Sequence, residues 1–168
     1  MIFIGIDPGA TGGIVAIREN LSIVLAWTAD GKGGTDGYYL AGEPDVLAIS
    51  ARLRPMREEG VRSVVIEEPL GLGRIGTSVA LTIGRCWGMT FAAVLAARLP
   101  VRRVSPAKWS ADLFRGKKGV TTKEKKDIAV RLVMERLPEL QLVLPGCRVP
   151  HTGLADAACL ALWAMRAP

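Results

Sequence analysis

The sequence predicts an α/β domain: a mixed five-stranded sheet flanked by helices, with its first three strands antiparallel. Three observations carry that expectation. Short apolar runs bounded by Gly and Pro recur along the chain, as buried strands do. The first three, Ile2 to Ile6, Ile14 to Ile17 and Ser22 to Trp27, lie close enough together to be joined by hairpins. The last two, Val61 to Glu68 and Val101 to Val104, are separated by a long stretch of helical character.

The first strand ends on Asp7 and runs into the turn Pro8-Gly9-Ala10-Thr11-Gly12-Gly13. A lone carboxylate at the end of an apolar strand is costly unless something pairs with it. A divalent cation would serve, and so would the amides of its own turn. Both readings of Asp7 stand on this segment. The next glycine-rich stretch, Ala29 to Gly37, reads as a loop. Glu43-Pro44-Asp45 reads as a helix start, with apolar residues from Val46 to Leu53 and Gly60 at the helix end.

Val61 to Glu68 repeats the pattern of the first strand: an apolar core, a carboxylate pair, then Pro69, which cannot continue a central ladder. If the two strands are parallel neighbours, Asp7 and one glutamate share a rim. Glu67 and Glu68 point to opposite faces, so one of them is the partner. Bare like charges repel, so opposed carboxylates there suit cation binding better than stability.

Thr77 to Leu99 reads as a long helix closed by Pro100, with Gly84, Gly88, Ala92 and Ala96 forming a stripe of small residues. That stripe is either a packing face for the chain's own sheet or a seam for a second copy. Ser105-Pro106 starts a short helix, and Thr122 to Lys125 opens another with a capping signal. The last element, His151 to Trp163, is almost wholly apolar and must pack on the sheet. Asp156 is its only acid, placed in the first turn and on the buried face. The helix dipole would account for such an acid. A cation shared with the two strand-end acids accounts better for its facing inward. His151, the only histidine, sits just ahead of it.

At 168 residues the chain fits one domain spanning 1–168, with 49% hydrophobic and 23% charged residues, an ordinary globular balance. No stretch reads as long and apolar enough to span a bilayer, and Met1 leads straight into a strand, so no membrane partner is expected. Cys86, Cys147 and Cys159 are odd in number and lack CxxC spacing; they read as reduced thiols, and the location as cytoplasmic. The net charge is +6, yet Arg98 to Lys126 holds ten basic and two acidic residues, so the remainder sums to −2. A basic stripe confined to one region is the footprint of a polyanion partner.

Five segments taken in order resemble those of the RuvC-type Holliday junction resolvases, particularly the short phage-encoded branch. They are Gly5-Ile6-Asp7-Pro8-Gly9, Val65-Ile66-Glu67, Leu81 to Gly88, Val104 to Trp109, and Gly153-Leu154-Ala155-Asp156-Ala157. The resemblance implies a ribonuclease H-like fold, a homodimer, and an endonuclease that resolves four-way junctions by paired nicking, leaving 5′-phosphate ends. It implies two Mg²⁺ or Mn²⁺ ions, roughly 3.5–4 Å apart as in other two-metal sites, held by Asp7, Glu67 and Asp156. The family's fourth ligand falls at Thr152 or Gly153, neither a good donor, so the role passes to His151. Lys108 and Lys123 correspond to basic residues near the scissile phosphate, with Lys123 offsetting charge in the reaction. Further DNA contacts are expected from Arg74, Arg85, Arg102, Arg103, Lys117 and Lys118. Leu70 stands where the family often carries an aromatic residue. The alternatives are a looser nuclease for R-loops, forks or flaps, a catalytically weak module that binds branched DNA, and an actin-like phosphotransferase using the Asp7 turn.

Overall fold

The structure, a computed structural model, describes residues 1–32, 36–69, 76–114 and 121–166. Alternation along β1 (Ile2–Asp7) decides the architecture. Ile2, Ile4 and Ile6 face one side of the sheet and Phe3, Gly5 and Asp7 the other. β1 pairs antiparallel with β2 (Gly13–Arg18), and β2 antiparallel with β3 (Ile23–Thr28).

A two-stranded hairpin follows, β4 (Tyr39–Leu40) with β5 (Glu43–Pro44), and then the helix α1 (Val46–Leu53), capped by Asp45. The sequence reading missed the hairpin and carried the helix on to Gly60. Pro55 removes an amide the helix would need, and Arg54–Arg57 tighten into a 3₁₀ turn instead.

β6 (Val61–Glu67) runs parallel to β1, with Ile6 opposite Ile66, and β7 (Val101–Val104) runs parallel to β6. The sheet order is β3-β2-β1-β6-β7, the mixed five-stranded sheet expected, with its first three strands antiparallel. Between β6 and β7 lies α2 (Thr77–Ala96). The chain then forms α3 (Pro106–Leu113), α4 (Thr122–Arg136) and α5 (Thr152–Arg166).

Each sheet face has its own core. Ile2, Ile4, Ile6, Val64 and Ile66 pack with α1 and α2. Phe3, Val15, Ile17 and Val65 pack with α3, α4 and α5. α5 is the centrepiece, with eleven buried residues from Gly153 to Ala164. It can lie directly on β1 because Gly5 has no side chain: a Cβ there would overlap the Ala157 carbonyl and the Ala161 amide. At the helix start, a Cβ on Gly153 would overlap the Thr11 carbonyl of the β1–β2 turn. These two glycines set how far α5 slides along β1, and so where Asp156 stands relative to Asp7. The atoms in the way are helix backbone, which cannot swing aside. Gly5→Ala is therefore expected to cost about 3 kcal/mol, the upper end for overpacking. In a chain this size that lowers Tm by roughly 6–12 °C in a thermal melt.

Two expectations need correction. α2, at 20 residues, is long and apolar enough to cross a membrane, although no stretch was expected to be. Its second half is committed to the core through Thr90, Ala93 and Val94. The small-residue stripe also does not pack on the chain's own sheet. Gly84 and Gly88 have open space where a Cβ would go, and Ala92 and Ala96 are exposed. Among the described residues all three cysteines are free.

Candidate active site

Parallel pairing puts the C-terminal ends of β1 and β6 side by side, about 4.8 Å apart as neighbouring strands are. In the alternation of β1 and β6, Asp7 follows Gly5 and Glu67 follows Val65, both on the face covered by α5. α5 starts at Thr152, which moves Asp156 out of the first turn, where the sequence reading put it. Dipole compensation, confined to that turn, does not explain the acid. Three carboxylates from distant parts of the chain thus converge at one edge of the sheet.

Their electrostatics show the convergence. Burial pushes Glu67 up to about 7; the charge of Asp7 adds to this, and that of Asp156 adds less. Burial likewise pushes Asp156 up to about 7, again reinforced by Asp7. Burial raises Asp7 too, against the Gly9 amide and the charges of Lys126 and His151. Among the described residues, no lysine or arginine forms an ion pair with any of the three. They are half-buried acids that repel one another with little to hold them.

What does hold them fixes their position. The Trp109 indole N–H donates to Glu67 Oε2 at 2.7 Å. Gly9 N–H donates to Asp7 Oδ1 at a long 3.3 Å, so the turn-capping reading of Asp7 is also met, weakly. The Tyr38 hydroxyl donates to the Asp7 carbonyl at 3.3 Å and Tyr39 to the Pro8 carbonyl at 2.8 Å. Both tyrosines come from the segment that forms β4. None of Trp109, Tyr38 or Tyr39 was picked out from sequence; Trp109 lay inside a matched segment, one place from the residue that was named.

His151 is buried and its ring is engaged on both sides. Nδ1 accepts the Leu154 amide at 3.1 Å, capping α5, so the ring proton falls on Nε2, which faces Asp30 Oδ1 at 3.4 Å. Asp30 also pairs with Lys32 at 2.9 Å. In this arrangement neither ring nitrogen has a lone pair left for a cation. Gly153 has no side chain to offer and lies against the Gly12 backbone, while Thr152 is half-buried at the first position of α5.

The expected DNA-contacting cations divide into groups. Lys108 and Lys123 are exposed on α3 and α4. Lys126, one turn beyond Lys123, is the lysine whose charge reaches Asp7 and Asp156. The sequence reading passed over it because a run of lysines gives no clue to which of them docks nearest the acids; Lys126 is itself exposed. Arg85 pairs with Glu43 at 2.8 Å and Arg103 with Glu68 at 3.6 Å. Arg102 donates to Ser63 Oγ, stacks over Trp163 and lines a cavity with Met1 and Glu19, at the other end of the sheet from the acids. Arg74, Lys117 and Lys118, and with them Leu70, lie outside the described residues.

The donor set suits a hard divalent cation: three carboxylates with raised proton affinity and few protein partners. As folded, the side chains stand within Coulombic reach of one another; among the described residues no three His, Cys, Asp or Glu side chains close into a ready-made cation cage.

No protein-family model matches the sequence, and no curated protein is similar to it. Solved structures are similar in fold. RuvC of T. thermophilus in complex with a Holliday junction substrate superposes with a TM-score of 0.62 at 20% identity, covering 97% of this chain and 92% of that one. A second Thermus thermophilus RuvC structure gives 0.55 at 24% identity with the same coverage. The chain has the RuvC fold, of ribonuclease H-like type.

Proposed function

We propose that this ribonuclease H-like protein is a divalent-metal-dependent endonuclease that acts as a homodimer on branched DNA, four-way junctions foremost, in the cytoplasm. One observation carries the reading: Asp7, Glu67 and Asp156 repel one another at the carboxyl edge of the sheet, and among the described residues no lysine or arginine is paired with them. Stability alone gives no reason for such an arrangement, whereas a cation-assisted site needs it. The three would hold Mg²⁺ or Mn²⁺, which supplies an activated water and neutralises charge on a phosphodiester.

The protein's own part is positioning and electrostatics. Trp109 keeps Glu67 in one rotamer, and the two tyrosines fix the backbone that carries Asp7. Water would attack phosphorus and the P–O3′ bond would break, leaving a 3′-hydroxyl and a 5′-phosphate. Negative charge grows on the phosphoryl oxygens, and Lys126 is the cation placed to offset it. Lys126→Met is expected to slow cleavage about a hundredfold with junction affinity changed less than about threefold, whereas Lys123→Met, one turn further out, alters affinity and its salt dependence more than rate. Single-turnover cleavage and binding titrations of the two variants check this.

The homodimer is supported by α2. Leu81 and Leu95 are exposed on the side of α2 that carries the open Gly84 and Gly88. An apolar, small-residue face of this kind admits close approach by the same helix of a second copy. Two copies would put two acid clusters on one branched substrate, and Lys108, Lys123 and Arg103 would hold flanking phosphates.

A second reading, a protein that holds branched DNA and cuts it poorly, is favoured by His151, whose ring is spent on the helix cap and on Asp30. One panel tests both: four-way junctions, three-way junctions, flaps, R-loops and linear duplex, each incubated with Mg²⁺ or Mn²⁺. Cleavage confined to branched substrates supports the nuclease. Binding without cleavage in either metal supports the second reading. Neither binding nor cleavage refutes both.

A further inference from the structure

Asp30 lies two residues past β3, yet its side chain is drawn inward: it is 19% exposed, and the side chain of His151, which it faces, is 6% exposed. We propose that Asp30 is a positioning residue for the acid cluster. Acting through the His151 ring, it fixes how the first turn of α5 sits on the β1–β2 turn, and so where Asp156 stands relative to Asp7.

This role rests on the nuclease reading above and deepens it by naming what holds the third acid in place. His151 is the N-cap of α5: the helix starts at Thr152, and the ring accepts the amide of the third helical residue, Leu154, at 3.1 Å. Serine, threonine, aspartate and asparagine are the usual residues for that task, and they need far less side chain. What an imidazole adds is a second nitrogen, aimed away from the helix. Here Nε2–H donates to Asp30 Oδ1 at 3.4 Å, while Asp30 Oδ2 holds Lys32 at 2.9 Å. The carboxylate also selects the tautomer. A neutral ring with its proton on Nδ1 cannot accept the Leu154 amide; a proton held on Nε2 by Asp30 leaves Nδ1 able to accept it.

The loop that carries Asp30 is tied down as firmly. Ala29 N–H donates to the Gly12 carbonyl at 3.1 Å, and the Tyr38 and Tyr39 amides donate to the Thr28 and Ala29 carbonyls at 3.3 and 3.2 Å. Gly12 belongs to the turn that follows Asp7, and Gly153 of α5 lies against its backbone. The β1–β2 turn, the loop after β3 and the start of α5 thus form a closed circuit, with the His151–Asp30 bond joining the last two. Ala155 N–H donates to the His151 carbonyl at 3.1 Å, so Asp156 follows directly on this capped turn. The charge of Asp30 reaches Tyr38, as that of Asp7 does, so a fourth carboxylate stands near three that already repel one another. A helix cap alone gives no reason for that carboxylate; a strut between the turn of Asp7 and the helix of Asp156 does.

Two readouts test the proposal. His151 is the only histidine, so its ring nitrogens give unambiguous NMR signals in ¹⁵N-labelled protein. The wild-type ring is expected as the Nε2–H tautomer, and to stay so when Mg²⁺ is added. Asp30→Ala should give a mixture of tautomers and speed hydrogen exchange of the Leu154 amide about fivefold, the scale of one weakened helix cap. A ring indifferent to Asp30→Ala overturns the proposal. So does a ring that leaves Leu154 or Asp30 to bind Mg²⁺, seen as a large shift of one ring nitrogen. These signals need no cleavage, so they decide even if the panel above rejects the nuclease. The second readout separates a strut from a plain cap. His151→Ser keeps a capping hydroxyl and removes the link to Asp30. Its Tm should stay within about 4 °C of wild type, while its single-turnover cleavage rate falls about tenfold, the low end for removing a group that orients a cation site. Asp30→Ala should fall as far and the double variant no further. Asp30→Asn, whose carboxamide oxygen still accepts from Nε2, should recover most of the rate. A wild-type rate in His151→Ser reduces His151 to a cap and overturns the proposal, as do losses that multiply in the double variant. If His151→Ser fails to fold, Asp30→Ala against Asp30→Asn decides: equal rates overturn the proposal, and loss with alanine but recovery with asparagine supports it.

Discussion

Asp7→Asn is expected to abolish cleavage, by on the order of a thousandfold or more, while junction affinity is kept or improved. Asp7 is the hub of the cluster: its charge raises both Glu67 and Asp156, and it ends β1, the middle strand of the five. Asparagine preserves the size of the side chain and the oxygen that accepts the Gly9 amide, so the turn has no reason to move. What is lost is one negative charge and one strong cation ligand. Removing that charge also relieves the repulsion felt by the other two acids. The variant should therefore melt at a higher temperature than wild type in metal-free buffer at neutral pH. It should also lose the stabilisation that Mg²⁺ or Mn²⁺ confers on wild type. Junction binding should survive, because in the proposed reading the cations on α3, α4 and β7, rather than the acids, would hold DNA. Metal-dependent cutting by pure Asp7→Asn protein, at a rate within tenfold of wild type, would sink the assignment.

The sequence carried the architecture and the three acids because each leaves a local mark. An apolar strand that stops on a carboxylate is visible without knowing its neighbours, and it occurs at Asp7 and again at Glu67. Asp156 shows as the single acid of an otherwise apolar helix. The parts that did not show depend on long-range geometry. His151 looked available because the sequence cannot tell that Nδ1 caps α5 or that a loop acid, Asp30, reaches its other nitrogen. Which lysine of a lysine-rich helix faces the site depends on how α4 docks beside α5, and Lys126 rather than Lys123 is the one whose charge registers there. Arg102 and Arg103 are adjacent in sequence yet serve opposite faces of an edge strand, one on Trp163 and the other near Glu68. The tyrosines that tie down the acid-bearing turn come from a hairpin too short for any periodic signal.

The metal-free protein should grow less stable as pH rises from about 4.5 to about 7, and divalent metal should reverse the loss. Glu67 goes from its ordinary 4.5 to about 7 and Asp156 from 3.8 to about 7, both raised by burial first and by Asp7 second. Between the ordinary and the raised values the folded protein binds more protons than the unfolded chain, so unfolding free energy falls as pH rises. Above about 7 both states are ionised and the decline stops. At about 1.4 kcal/mol for each pH unit between the two values, each acid alone would contribute on the order of 3–4 kcal/mol. Part of each rise is the same mutual repulsion, so the cluster as a whole is expected to lose on the order of 4 kcal/mol rather than the sum. A cation takes the place of those protons, so it binds weakly at pH 5 and strongly at pH 8. Its stabilising effect, growing as the logarithm of its concentration over Kd, should be several-fold larger at the higher pH. Denaturant melts at half-unit pH steps, with EDTA and then with Mn²⁺, measure both effects. The difference between wild type and the Asp7→Asn, Asp156→Asn double variant isolates the cluster from the Asp30–His151 pair. A flat difference curve, or Mn²⁺ stabilising the double variant as much as wild type, would mean that these acids neither repel one another nor share a cation.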